Sequence, residues 1–483
     1  MDRRRFLALA AGALATPVAM RAGDAAASQR QAVRWSPTGA APPSRRWSPT
    51  GAAPPFRRAV PTPRASLVTR WDTDQWSRGS YSALPPGTPP SVRRTLADAI
   101  LGRRIALAGE YASTQYPSTT TGAYLSGRHA AARLLDRVNA RTAIVIGAGM
   151  AGATAAHDLR AAGVRVTVLE ARDRVGGRIH SDDAWGVPVE LGAAWIHGTT
   201  GNPIVPLARD AGLGLVPTDY EDAVARDTVT GRESAEADAR WARLGTLLGQ
   251  LEDAWPSVGM SVETWLEAHG WTTGRIDSWA AQVEITQEYA LDPSRLGVRA
   301  TEEGATYRGG DSMVTGGYAT IPADLLAGSD LRLSTPVDSV SSDGSRVTVA
   351  LASGATLRAD IAVVAVPLAL LRAGVPKFAP LTRPVRSAMA KLRTGVFEKV
   401  VLRYDEQWWG DYRTYGIVGG GAPGAPAGSL ASLRWTEFYT LTDVLGFPAL
   451  VGFSGGSAGR SRPASDAACV QEATASLAAA FAR

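Results

Sequence analysis

Three glycines and a carboxylate carry the clearest chemical signal in this chain. Gly147, Gly149 and Gly152 stand in the spacing G-x-G-x-x-G within "TAIVIGAGMAG", and Glu170 closes the run "VRVTVLE", about 20 residues beyond the glycines. Each residue type has a physical reason. Gly147 permits a tight turn, Gly149 lets a pyrophosphate approach the backbone, and Gly152 lets a helix pack on the preceding strand. A helix starting there offers unpaired N–H groups and a partial positive charge to phosphates. Glu170 is placed to bind ribose hydroxyls. A second candidate is Lys399 in "EKVVLRY": lysine occurs only at 377, 391 and 399, and here it sits inside a strand pattern. Alternation puts Lys399, Val401 and Arg403 on one face.

The elements that must hold these groups are legible as patterns. "TAIVIG" and "VRVTVLE" read as buried strands flanking the helical segment "AGATAAHDLRAAG". Upstream, "RRIALAG" reads as another buried strand with Glu110 at its C-terminal end. "TGAYLSGRHAAARLLDRV" follows as a helix with Leu125, Ala130, Leu134 and Leu135 on one face. "IALAG", this helix and "TAIVIG" together read as one βαβ unit with parallel pairing and a short loop at 139–141. Residues 235–291 have helical periodicity, with Trp241, Leu244, Leu247, Leu248 and Leu251 on one face. "EKVVLRYD" and "PALVGFSGG" read as strands of a second sheet.

Several of these stretches resemble the flavin-dependent amine oxidases, a family that includes polyamine oxidases, monoamine oxidases and histone demethylases. The resemblance rests on residues 142–179, which end in "EARDRVGGRI", and on "VELGAAWIHGTTGNPIVPLARDAGL". It rests also on "RGSYS", "AGEYASTQYPSTTTGAYLSG", "LRLSTPVDSV", "VAVPLALL" and "GVFEKVVLRYDEQWWGD". Together they spread over nearly all of 66–483, and the pattern is nearest to polyamine oxidases. The resemblance implies an α/β fold: a Rossmann-like FAD-binding domain plus an α+β substrate domain of mixed sheet and helices. It implies that Arg178 lies by the FAD phosphates, that Glu110 accepts from a ribityl hydroxyl and that the Val337 backbone pairs with adenine. Trp195 and His197 would lie beside the flavin on the substrate side, and Lys399 would hold a water against flavin N5. Tyr81 would form one aromatic wall, and Thr119 would stand where monoamine oxidases have the second. Ser80 replaces the cysteine that links FAD in monoamine oxidases, so the FAD is expected to be non-covalent. Thr121 departs from the family, which often has histidine there.

The implied reaction is oxidation of a small amine, preferably polyamine-like, by hydride transfer to FAD. An imine and then an aldehyde form, and oxygen gives hydrogen peroxide. An L-amino-acid oxidase, a monoamine oxidase and an inactive exported flavoprotein remain alternatives; the first needs a carboxylate-clamping arginine that the sequence does not identify. In the family the glycine-rich stretch lies near the N-terminus and the "AGE…GAYLSG" stretch closes the chain. Here the order is reversed, so the chain reads as a circular permutation.

The expected organisation is an export signal (1–27), a linker (28–65), an FAD-binding domain (66–200), a helical substrate part (201–310), a return to the FAD-binding domain (311–375) and a substrate sheet with a closing helix (376–483). In the FAD-binding domain a displaced piece, 66–139, joins the glycine unit, 140–200. Arg3, Arg4, Arg5, Phe6 and Leu7 match the twin-arginine export pattern, followed by an Ala-rich run too short for a stable membrane span. The repeat "RWSPTGAAPP" at 34–57 is too rich in Pro, Gly and Ala to build a core. A net charge of +6 comes from arginines scattered among acids, without a basic run interleaved with aromatics, which argues against a nucleic-acid partner. One cysteine, Cys469, excludes an internal disulfide, and five histidines lack ligand spacing, so no metal is expected. The sequence sets no oligomeric state.

Overall fold

A computed structural model describes residues 60–482 except 380, 422, 423 and 427. The expected export signal and most of the linker lie outside the described residues. Two large sheets organise the rest. The first has six strands in the order Asp330–Arg332, Arg165–Leu169, Thr142–Ile146, Ile361–Val364, Ile105–Leu107, Ile100–Leu101. The first five run parallel and the last pairs antiparallel. Its central strands are near-continuous runs of Val, Ile and Ala because both faces are buried, as parallel sheets require.

The sheet corrects one expectation. Ile105–Leu107 and Thr142–Ile146 are not direct neighbours; Ile361–Val364 lies between them and pairs with both. The strand IAVV is buried at every position, so it takes a central slot. The connection through helix Thr120–Leu135 bridges one intervening strand, and local patterning cannot see a strand arriving from so far downstream. That helix is N-capped by Thr119, whose Oγ1 accepts from Gly122 N at 2.9 Å. It packs against Met150–Ala161 at very close range: a Cβ on Gly127 would lie 2.2 Å from the Ala151 carbonyl oxygen.

The second sheet has seven strands in the order Ala65–Val68, Phe397–Arg403, Ala449–Gly455, Glu437–Thr440, Thr414–Val418, Ala223–Asp227, Arg232–Glu233. "EKVVLRY" and "ALVGFSG" pair in it antiparallel, with Lys399 opposite Phe453. A wall of helices covers part of this sheet: Ala235–Ala254, Val262–Ala268 and Arg275–Ala281, the last running through a π-helical turn, Gln282–Thr286. Leu244, Leu247, Leu248 and Leu251 are buried as their spacing predicts, and Trp241 is partly buried against the same core.

Candidate active site

A cavity of about 790 Å³ is lined by residues from both sheets and the helical wall. Of the twelve candidate site residues from the sequence, eleven line it; Gly152 is the third residue of helix Met150–Ala161. The glycine loop has the geometry its spacing implies. Gly147 has φ +102°, which favours glycine. A Cβ on Gly152 would lie 1.9 Å from the Gly147 carbonyl oxygen, so only glycine fits that crossing. A Cβ on Gly149 would meet nothing closer than 3.6 Å, which leaves the backbone open to a ligand. Helix Met150–Ala161 begins at Gly149 with no side-chain cap, so its first N–H groups await an acceptor. Gly176 N donates to the Ala148 carbonyl at 2.9 Å, bringing Gly176 and Gly177 onto the same cradle.

Glu170 is buried and accepts from Ala148 N at 2.7 Å and Arg172 N at 2.8 Å. It braces the cradle as well as facing the cavity. Glu110 and Arg178, expected to contact the cofactor at separate points, form a 2.9 Å ion pair. Arg178 also donates to the Ser80 carbonyl at 2.5 Å. Glu110 accepts from Ser82 Oγ (2.6 Å), which accepts from Arg93 Nη1 (2.7 Å); Arg93 is fully buried and pairs bidentately with Glu303. This chain of charges, which sequence reasoning missed, fixes the cavity floor. Val337 lines the cavity from a strand that bulges just after it.

Lys399 is buried on its strand, not solvent-facing. Alternation divides the strand as expected: Phe397 and Val401 pack in one apolar cluster, Val400 and Leu402 in another. Lys399 Nζ donates to the carbonyls of Glu190 (2.9 Å) and Gly192 (2.6 Å), and lies 5.7 Å from the Trp195 ring centroid. An ammonium has three donors, so one N–H remains. Burial lowers its pKa to about 8 against the opposing pull of Glu190.

Around it stand Trp195, Tyr439, Phe453 and Phe397, with Phe397 and Phe453 stacked at 5.0 Å. Tyr81 packs edge-on against Phe397 and its hydroxyl donates to the Gln287 carbonyl at 2.5 Å; burial, with Glu288 and Glu110 nearby, pushes that phenol well up. His197 Nδ1 is 2.8 Å from Asp311 Oδ2; burial alone would raise the Asp311 carboxyl, but His197 and the Gly198 N–H hold it below its ordinary range. Thr119 lines the cavity, but its hydroxyl is committed: it caps its helix and donates to the Tyr116 carbonyl at 2.9 Å. Thr121 donates to Asn202 Oδ1 at 3.2 Å, a satisfied buried hydroxyl where the family often has histidine. Ser80 Oγ donates to the Phe397 carbonyl at 2.9 Å and accepts its N–H at 2.8 Å.

The helical wall adds what the sequence concealed. Glu252 and Glu284 on this wall, Glu288 just beyond the π-helical turn and Glu302 in a later turn all line the cavity. Glu302 is bound by Arg299 at 2.7 and 3.0 Å. Glu284 accepts the indole N–H of Trp241 at 2.9 Å.

The family described as flavin containing amine oxidoreductase matches residues 50–135 and 150–482. The chain belongs to that family. Polyamine oxidase 3 of Oryza sativa subsp. japonica is 32% identical over 340 residues, 64% of this chain and 67% of the relative. Polyamine oxidase 4 of the same organism is 29% identical over 309 residues, 57% of this chain and 61% of the relative. These alignments therefore span about two thirds of the relatives' lengths. Among solved structures, wild-type putrescine oxidase bound to putrescine superposes with a TM-score of 0.56 at 20% identity, covering 71% of this chain and 81% of that one, which is a likeness of fold. The cofactor the family uses is FAD, and the residues present fit it: an open glycine cradle, an uncapped helix N-terminus for phosphate, a buried acid at the end of the second strand and a long cavity running on to aromatic walls. No helix among the described residues is long and apolar enough to cross a membrane.

Proposed function

We propose that this amine oxidase acts on polyamine-like substrates, with oxygen as the final acceptor and FAD held without a covalent link. The observation that carries the substrate reading is the acidic wall, above all Glu284, in the same cavity as Lys399 and its aromatic neighbours. Carboxylates there attract and orient a chain bearing several ammonium groups. The carboxylate-clamping alternative has less support. The two cavity arginines are engaged, Arg172 with Asp74 and Arg178 with Glu110.

FAD, when bound, supplies the hydride acceptor; the chain supplies the rest. Trp195, Tyr439, Phe453 and Tyr81 exclude bulk water and present a flat apolar channel to the carbon being oxidised. Lys399, fixed by two carbonyls, offers its third N–H to one water. That water is positioned to hydrolyse the imine to the aldehyde once the amine has lost its hydride. With a pKa near 8 the ammonium can also release and regain a proton near neutral pH. His197 is oriented by Asp311 toward the substrate side. The twin-arginine motif supports export, and the order of motifs supports a permuted chain.

A peroxide assay against spermine, spermidine, putrescine, tyramine and L-amino acids tests the reading. Spermine or spermidine should give the highest kcat/KM; turnover of L-amino acids alone would overturn it. Acid or heat should release the flavin into solution, since Ser80 offers no thiol; flavin that stays with the denatured chain would refute non-covalent binding.

A further inference from the structure

Residues 71–79 contain no helix or strand, yet Trp71, Ser77 and Gly79 are buried. The two ends of this segment meet: Gly79 N donates to the Trp71 carbonyl at 2.7 Å. A nine-residue loop closed at its neck is an Ω-loop, a unit that often carries function. The neck is pinned. Trp71 N and Asp72 N donate to Glu398 at 3.0 and 3.2 Å, and Asp72 pairs with Arg462 at 2.6 Å. Gly79 has φ +134°, and a Cβ there would lie 2.5 Å from Thr394 Cγ2, so the neck is also sterically locked.

The tip is held differently. Arg172 donates to Asp74 with both terminal nitrogens, at 2.8 and 2.6 Å, and to Ser77 Oγ at 2.9 Å. Arg172 is two residues beyond Glu170, and Arg172, Trp76 and Ser77 all line the cofactor cavity. Burial would raise the Asp74 carboxyl, but the Arg172 hydrogen bonds and charge leave it below the ordinary carboxylate range. The Asp74 carboxylate is thus favoured in its charged form against the Arg172 guanidinium.

We propose that residues 71–79 are a lid on the FAD cavity, hinged at the Glu398-anchored neck and latched by Arg172 to Asp74 and Ser77, and that FAD enters and leaves by opening of this latch. The lid rests on the FAD site and not on the choice of amine, so a wrong substrate leaves it standing.

The test uses the holoenzyme and the variants D74N, S77A, R172Q and D74N/R172Q. Two rates are measured: FAD release, by flavin fluorescence after dilution, and tryptic cleavage after Arg78, an exposed residue of the lid, by mass spectrometry. D74N should speed both by about tenfold or more, as expected for loss of a charge-assisted bidentate pair, and S77A both by a few-fold. S77A also carries the test if D74N fails to accumulate. In the D74N background R172Q should add no more than the few-fold that S77A gives, since only the Ser77 bond is left to lose. Release at the parent rate in D74N and S77A would overturn the latch. Faster release with unchanged cleavage at Arg78 would mean that FAD leaves by another route. An added effect of R172Q well beyond that of S77A would mean that Arg172 holds the cofactor itself.

Discussion

The cofactor end and the amine end of the cavity are built from different materials. The cofactor end is backbone: Gly147, Gly149, Gly152, Gly176 and Gly177 clear space, and an uncapped helix start offers N–H groups. The amine end is side chain: Lys399 on a sheet, Glu284 on a π-helical turn, and aromatics from four strands. Where the backbone crosses most closely, at Gly147 and Gly152, it tolerates no added atom. Side-chain sites tolerate substitution sterically and depend on partners that hold each group in place. The two ends should therefore fail in different ways.

The largest effect is expected at the cradle. Gly152→Ala sets a Cβ 1.9 Å from the Gly147 oxygen. It should cost more than about 3 kcal/mol, at or beyond the usual range for overpacking, and yield protein without flavin, read from the absorbance ratio and the thermal midpoint. An undisturbed yellow protein would break the contrast between the two ends.

Lys399→Met comes next. Flavin should remain, while turnover falls about 10²–10³-fold, as for loss of a preorganised donor. It also strips the Glu190 and Gly192 carbonyls of a donor, so the melting temperature should drop by an amount equivalent to about 1–3 kcal/mol. Parent enzyme should show an inflection near pH 8 that the variant lacks, with the charged-lysine function fading as pH rises. The stability sign is opposite. The folded pKa lies below the ordinary lysine value, so the unfolded chain binds more protons between about 8 and 10.5, and folding gains stability as pH climbs through that window.

Glu284→Gln should raise the amine KM roughly tenfold, about 1.4 kcal/mol, with flavin content unchanged. The smallest effect belongs to Trp241→Phe, which leaves Glu284 in place without its indole donor; KM should rise about two- to threefold. Equal effects of the two would show that Trp241 does all of the positioning.

What could be read from sequence follows the same division. The cradle was legible because its requirements are local: three glycines at fixed spacing, then a strand ending in an acid. Lys399 stood out because lysine is scarce and the strand alternates. Glu284 was hidden because a π-helical turn shifts the register of a helix, so a face drawn at 3.6 residues per turn misplaces it. Phe453 could have been found by pairing the two apolar strands in register, since it lies directly opposite Lys399. The Arg93–Glu303 pair joins residues 210 apart and leaves no local trace. The intrusion of Ile361–Val364 between two strands that seemed adjacent has the same cause. The family resemblance supplied the flavin, which spacing alone could not choose over other dinucleotides.

The strand Ala65–Val68 forms one edge of the seven-stranded sheet, zipped to Phe397–Arg403 over four residue pairs and packed against helix Asp466–Ala480. The opposite edge, Arg232–Glu233, is two charged residues long and gives an incoming strand little to pair with. A cut before residue 60 leaves these strand pairings untouched. A protease that cuts past Arg64 would instead peel away the edge strand and expose the backbone hydrogen-bonding edge of the strand that carries Lys399. That edge would be free to recruit a strand from another copy, so loss of these few residues would turn the enzyme into a seed for aggregation.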